Sequence, residues 1–486
     1  MTLKTKTLHS IGWSATSQVA RLLMQILISA ILARLLTPSD FGLIAMIVVF
    51  SSFVAIFSDF GLSSAIVQRK EIPDGALSSI FWIGVGLGAL LTIAFATSAP
   101  LIAAFYSDPR LTPLVVFIST TFFIGSFGYV PNALLTKNMN FKAIAIIGIC
   151  TLGIAGPISI FLAFSGYGVW SLAWNTVLST AITVVLTWIY SRWIPHFSLE
   201  LRQVKALLGF GMNLTGNSFV GYFQRNLDNL LIGRFLGSAP LGFYNLAYNL
   251  LLFPLTNISD VVGRVMFPAL SVIQHDKQKV REAYVVANRY IAAVSFPMMT
   301  WLLILAPELI RVVYGPKWVS AILLVQILAL AALEQSIGNN VGWIFLSQGR
   351  TDVLFKLSIF TTIVVAIAFA AGLRWGVEGV AIGYTIATYL LAYPVFAIAF
   401  RLVDLKVRYF LAKLLPIMLA TLAFGIIAFL LRISLERLSI THNVTIIVIV
   451  TAASLLSYST LIFVLDRELF TETVRLLRQL RPSYSD

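Results

Sequence analysis

Long apolar runs recur along the whole chain, and their lengths cluster near that needed to cross a bilayer, ~20 residues. They fall near 11–35, 40–60, 77–99, 112–132, 143–165, 167–190, 206–233, 241–260, 284–306, 319–342, 354–373, 377–400, 411–431 and 443–465. Read as helices, these are about fourteen membrane spans. Nothing resembles the alternating ~10-residue segments of an outer-membrane barrel. Polar residues inside the runs lie in stripes. In the first span Ser14, Gln18, Arg21, Gln25 and Ser29 follow steps of 4, 3, 4 and 4 and share one helix face. The seventh span carries Asn213, Asn217, Gly221, Gln224, Arg225 and Asp228 on one broad face, and the eighth carries Asn245, Asn249, Thr256, Asn257 and Asp260. A polar stripe on a spanning helix looks at protein or water, because lipid offers it no partner.

The first and seventh spans are also related to each other. Residues 11–45 read IGWSATSQVARLLMQILISAILARLLTPSDFGLIA, and from Gly211 the chain reads GMNLTGNSFVGYFQRNLDNLLIGRFLGSAPLGFYN. Ile31, Arg34, Leu36 and Gly42 register without a gap on Leu231, Arg234, Leu236 and Gly242. Further echoes keep the same order. SDVVG at 259 answers SDFG at 58, APELIRVVYGP at 306–316 answers APLIAAFYSDP at 99–109, and GVEGVAIGY at 376–384 answers GYGVWSLAW at 166–174. Four matches at a nearly constant offset point to a tandem duplication. Each unit holds six helices, an even number, so both copies insert with the same orientation, and such parallel repeats bind substrate between them near the midplane.

Composition agrees with this reading. The chain is 59% hydrophobic and 11% charged, with mean hydropathy +0.91, whereas soluble domains carry about 25% charged residues. Lys4 and Lys6 before an apolar run imitate a signal peptide, but Gln18, Arg21 and Gln25 interrupt that run, which is read as a retained first helix. The net charge of +14 is no nucleic-acid signal. If the N-terminus is cytoplasmic, about 23 of the 34 Lys and Arg lie on that side and about 8 on the other. That bias is the positive-inside signature. One cysteine excludes an internal disulfide, and four scattered histidines lack metal-ligand spacing, so no metal site is expected.

Arg21 lies about ten residues into its span, roughly 15 Å deep at 1.5 Å per residue. A charge there costs roughly 2.5–3.5 kcal/mol by the mildest scale unless it faces water or a partner. Arg21 and Arg225 are therefore read as the cationic lining of a cavity, with packing inside the bundle as the competing role. For Arg225 the competitor is an ion pair with Asp228, three residues on. Glu334 is the most deeply placed carboxylate of its half. Glu334 and Asp228 are the candidates for coupling to a proton or sodium ion, against plain hydrogen bonding across the bundle. Asp59 is read as a helix-end charge, and Gly153, Gly156 and Pro157 as either a hinge or a static kink. Gly84, Gly86 and Gly88 in the third span permit close helix approach.

The resulting architecture is an all-α integral membrane protein. An N-terminal lobe spans 1–190, and 191–206 is a cytoplasmic linker. A C-terminal lobe spans 207–400, two additional helices fill 401–465, and 466–486 is a basic cytoplasmic tail.

Several segments carry a family likeness. LARLLTPSDFGLIAM (32–46), SDFGLSSAIVQRKE (58–71), YNLAYNLLLFP (244–254) and GRVMFPALSVIQ (263–274) resemble the polysaccharide-transporter branch of the MOP superfamily flippases. The likeness runs from about residue 10 to 465 and is strongest to colanic-acid-exporter-like, Wzx-type flippases of lipid-linked oligosaccharides. It implies a MATE/MOP-like bundle of six plus six helices with two extra helices, opening alternately to each side of a bacterial inner membrane, both termini cytoplasmic. The implied cargo is an oligosaccharide repeat unit on undecaprenyl pyrophosphate, destined for exopolysaccharide, capsule or O-antigen. Membrane lipids, a polysaccharide polymerase and export machinery are the implied partners, with no cofactor and no nucleic acid. The resemblance also implies that arginines of the first and seventh helices line the cavity, which here are Arg21 and Arg225. The candidate substrate-binding set is thus Arg21, Arg225, Gln18, Gln25, Asn213, Asn217, Gln224, Asp228, Asn245 and Asn249. Forked guanidinium donors suit phosphate oxygens and the amides suit sugar hydroxyls.

A MATE-type multidrug exporter would share the fold, but a cationic cargo favours acidic groups at mid-depth. An integral membrane polymerase or ligase needs grouped catalytic side chains in a sizeable loop, and no loop here holds paired acids or a nucleophile–base set. The chain is therefore expected not to be an enzyme.

Overall fold

The computed structural model describes residues 20–59, 61–69, 72–197, 222, 225–438 and 442–466. All regular structure among them is helical, as the hydropathy pattern requires. They form two compact units, one ending at Gly242 and the other starting at Phe243. Among the described residues nine stretches are long and apolar enough to cross a membrane, or ten with one bent pair counted as a span. The expected spans at 11–35 and 206–233 lie partly outside the described residues.

The first unit begins with α1 (20–35) and α2 (Pro38–Ala55). A capping box starts α2: the Asp40 carboxylate accepts from the Thr37 N–H, the Thr37 hydroxyl accepts from the Asp40 N–H, and Pro38 occupies the first turn. There follow α3 (Leu62–Gln68), α4 (Asp74–Thr97), α5 (Ala99–Tyr106), α6 (Leu111–Ser126), α7 (Tyr129–Lys137), α8 (Phe141–Phe164) and α9 (Val169–Ser191). The bent pair is α6 and α7, at 47°. The α10 segment (225–236) and the start of α11 (Ser238–Val272) complete the unit. Of the expected linker 191–206, the described part lies against α4. There the His196 N–H donates to Ser78 Oγ at 3.0 Å, and Trp82 Nε1 donates to the His196 carbonyl at 3.1 Å.

The second unit holds the rest of α11, then α12 (Lys277–Val313), α13 (Ala321–Gly338), α14 (Gly342–Ser347), α15 (Thr351–Gly372), α16 (Gly376–Leu402), α17 (Val407–Arg437) and α18 (Asn443–Leu465). Its core packs α12 against α13, α17 and α18, and α16 against α13 and α15. Leu270, Tyr284, Phe345, Phe400, Phe410 and Leu414 are fully buried at its centre. The polar stretch 263–282, which reads as a long basic loop, is mostly helix. Only four residues separate Val272 from Lys277, where Asp276 caps α12 by accepting from the Lys279 N–H at 3.1 Å. Hydropathy marks where membrane ends, not where a helix ends.

The echoes seen in the sequence recur in the backbone. Tyr106 and Tyr314, matched in the two APL/APE segments, are both buried. The residue after each, Ser107 at φ 57° and Gly315 at φ 91°, takes the left-handed conformation that ends a helix. Gly166 and Gly376 also match, at φ 83° and 74°. The paired glycines of the duplicated motif meet directly. A Cβ on Gly42 would fall on the carbonyl of Ser238, and one on Gly242 would fall on the carbonyl of Pro38. The contact is reciprocal, so the starts of α2 and α11 cross with no side chain between them.

Glycines elsewhere are not equivalent. Gly88 lies against Ser126 and the Phe122 carbonyl, whereas Gly84 and Gly86 face open space, so one glycine of the third span, not three, serves close approach. On α8, Gly148, Gly153 and Gly156 receive Arg21, Met24 and Ile28 of α1 in turn. Pro157 sits inside α8 without ending it.

Candidate functional site

Arg21 lies in α1, half-buried, with its Cδ and Nη1 about 3 Å from where a Gly148 side chain would begin. Glycine at 148 is what lets the guanidinium stem lie flat on α8. Gln25, one turn on, is exposed. Arg225 is exposed on α10, while Asp228 is buried and accepts from the Asn229 N–H at 2.7 Å. No ion pair joins Arg225 to Asp228 among the described residues, so the guanidinium is not consumed by that neighbour. Beside them the Tyr222 hydroxyl donates to the Val49 carbonyl of α2. Asn245 and Asn249 are brought together: Asn249 Nδ2 donates to Asn245 Oδ1 at 2.7 Å on α11. Gln18, Asn213, Asn217 and Gln224 lie outside the described residues.

A polar cluster closes one end of the first unit. Ser39 Oγ and Ser238 Oγ are 2.8 Å apart, and Arg110 Nη2 lies 3.4 Å from each. The same guanidinium pairs with Asp108 at 2.7 Å, and this charge-assisted hydrogen bond holds the Asp108 carboxyl below the usual carboxylate range. Arg234 donates to Ser107 Oγ at 3.0 Å and lies over the Phe105 ring. Arg234 is the residue that matches Arg34 in the duplicated motif.

The first unit also holds a cavity of about 340 Å³ lined by Ser58, Asp59, Phe81, Gly84, Ser126 and Tyr129. Asp59 accepts from the Ser63 N–H and Ser63 Oγ at 3.0 and 2.9 Å, and so ties down the start of α3. That is the helix-end role expected of it.

A larger cavity, about 950 Å³, lies in the second unit between α12, α13, α16 and α17. Its walls are leucine, isoleucine, phenylalanine and tyrosine, with Gln326, Glu334, Thr421 and Arg432 among its few polar members. Glu334 is the predicted site residue found there; neither Arg21 nor Arg225 lines either cavity.

Two buried ion pairs were not foreseen. Arg432 of α17 donates from Nε to Glu308 of α12 at 2.7 Å, and Arg289 of α12 pairs with Asp466, just past α18, at 2.7 Å. They fasten the α17–α18 hairpin to α12 near each end. Arg289 signalled itself as a charge within a span, but its partner is 177 residues away and no local pattern links them.

Comparison with known proteins places these features in a family. A family model described as "Polysaccharide biosynthesis protein" matches residues 31–323, more than half of the chain. The lipopolysaccharide biosynthesis protein WzxC of Escherichia coli (strain K12) is 30% identical over 444 residues, covering 88% of this chain and 89% of that protein. The teichuronic acid biosynthesis protein TuaB of Bacillus subtilis (strain 168) is 28% identical, covering 91% and 92%. Among solved structures, the lipid II flippase MurJ in an inward closed conformation shares the fold with TM-score 0.76 at 15% identity, covering 94% of this chain and 99% of that one. By the reach of the family model and the likeness to WzxC, this chain belongs to the polysaccharide biosynthesis family, and its many long apolar helices make it a multi-pass membrane protein.

Proposed function

We propose that the chain is a flippase that moves an oligosaccharide repeat unit on undecaprenyl pyrophosphate across a bacterial inner membrane, from the cytoplasmic to the periplasmic leaflet, by alternating access. The observation that carries the reading is Arg21, a permanent cation within an apolar helix and seated flat on Gly148. A charged pyrophosphate cannot cross hydrocarbon bare, and a guanidinium offers it forked donors at the depth where water is missing. The duplicated partner, Arg225, is exposed and free of Asp228, which suits the same task. Family membership and the names of the relatives support a cargo on the way to a surface polysaccharide. The lysine and arginine bias supports cytoplasmic termini. A polymerase and export machinery would take up the delivered unit. No bond of the cargo is made or broken in this reading.

The test is deletion of the gene followed by mass spectrometry of lipid-linked sugars, with Arg21→Ala and Arg225→Ala as point variants. Accumulation of lipid-linked repeat units on the cytoplasmic leaflet, at unchanged protein level, is the expected result. Normal export by both variants would refute the role given to the arginines.

A further inference from the structure

The polar side chains of α13 divide into two kinds. Gln326 Nε2 donates to the Leu303 carbonyl at 3.1 Å, and Gln335 Nε2 donates to Tyr384 Oη at 2.9 Å. Asn340 Nδ2 donates to Asn288 Oδ1 and to the Ser336 carbonyl, each at 2.9 Å. Glu334 differs. Among the described residues its carboxylate accepts no hydrogen bond and joins no ion pair, and it borders the 950 Å³ cavity. It lies back along its own helix over Gly338, where a side chain would collide with the carboxylate oxygens.

The neighbours do not supply a counter-charge. From α12 come Thr300 and, within electrostatic reach, Tyr284. Glu308 of the same helix is held by Arg432. From α16 come Tyr389, whose hydroxyl donates to the Leu330 carbonyl at 2.9 Å, and Tyr393. From α17 come Thr421 and Arg432, and the latter is engaged by both Glu308 and Glu436. An ionised carboxylate facing leucine and isoleucine with no partner is expensive, and such a group takes a proton instead. A metal ion would have to trade its water shell for several oxygen ligands. Here the nearest walls are apolar, and no group of three acidic, His or Cys side chains exists among the described residues.

We propose that Glu334 is a proton-binding site: it holds a proton while its cavity is dry and gives it to water when the cavity hydrates. The step breaks the carboxylic O–H bond and leaves the carboxylate on Glu334 and the proton on water. Gly338 leaves room for the acid to fold against its helix in the dry state. What the proton is coupled to rests on the flippase reading; the proton site itself rests on the cavity.

Infrared difference titration of the full-length protein in lipid nanodiscs tests the site without any substrate. The wild type should show a protonated-carboxyl carbonyl band that disappears as pH rises. Glu334→Gln should lack that band, and Glu334→Asp should retain one at a shifted position. A wild-type titration indistinguishable from that of Glu334→Gln, or an unaltered band in Glu334→Asp, would overturn the assignment. In vesicles, transport of a lipid-linked oligosaccharide should then respond to a pH gradient by up to about tenfold per pH unit for one coupled proton. Glu334→Gln should lose that response. A wild-type response to a sodium gradient alone would overturn the proposal. A titrating band in a wild-type protein that moves no lipid-linked sugar would uphold the proton site and defeat the flippase reading.

Discussion

Two matched corners of the molecule have the same skeleton and opposite chemistry. Ala99-Pro100-Leu101 opens α5 in the first unit, and Ala306-Pro307-Glu308 holds the same place within α12. Both segments run on to a buried tyrosine and a left-handed residue. Yet Leu101 is 73% exposed while Glu308 is 1% exposed and bound to Arg432. In the second unit the α17–α18 hairpin packs on α12, and Arg432 of that hairpin holds the carboxylate. The two corners share a backbone pattern but differ in what one side chain meets. Where one has an exposed leucine, the other has a carboxylate that holds a helix.

That comparison can be broken experimentally, and the largest effect should come from Glu308. Glu308→Leu leaves the Arg432 guanidinium without its buried partner, and breaking such a pair costs about 3–5 kcal/mol. Denaturant unfolding in detergent should show the loss, and pairing it with Arg432→Leu should recover most of it. If the single and double variants are equally unstable, the pair is not what fastens the hairpin. A middling effect is expected at Gly88, where an alanine would meet Ser126 and the Phe122 carbonyl. Overpacking of this kind costs about 1–3 kcal/mol, readable as a lower unfolding midpoint. Leu101→Glu sharpens the comparison from the other side. It gives the first unit the second unit's acid without its arginine, near the end of a span, where a charge costs up to about 1 kcal/mol. A stabilised Leu101→Glu protein would mean that the first copy retains a hidden partner. The smallest effect belongs to Gly84→Ala, which meets nothing within 4 Å. Its stability should stay within about 0.5 kcal/mol of the parent, and a larger change would show that the third-span glycines act together.

The fold was largely legible in the sequence because a bilayer leaves the chain few choices. Apolar runs of spanning length must be helices, and the echo of 11–45 in 211–245 announced the repeat that Ser107, Gly315, Gly166 and Gly376 preserve in their backbone angles. The helix-end role of Asp59 was also readable from position alone. The ion pairs were not. Arg289 and Asp466 are 177 residues apart, and Glu308 and Arg432 are 124 apart, so no local pattern joins either pair. The setting of Arg21 was equally hidden, since nothing in α1 says that Gly148 will lie beneath it. The polar stretch at 263–282 lies between two apolar runs and is still mostly helix, because lysine, glutamine and glutamate are good helix formers once clear of lipid and Asp276 restarts the helix within four residues.

Arg289 and Glu308 stand nineteen residues apart on α12, about 28 Å along a helix, close to the ~30 Å of bilayer hydrocarbon. With each locked to the hairpin, the second unit carries its own ruler for the membrane. Lipids with longer or shorter chains must conform to that spacing, or tilt the hairpin and α12 together, because neither helix can slide past the other without parting two buried charges.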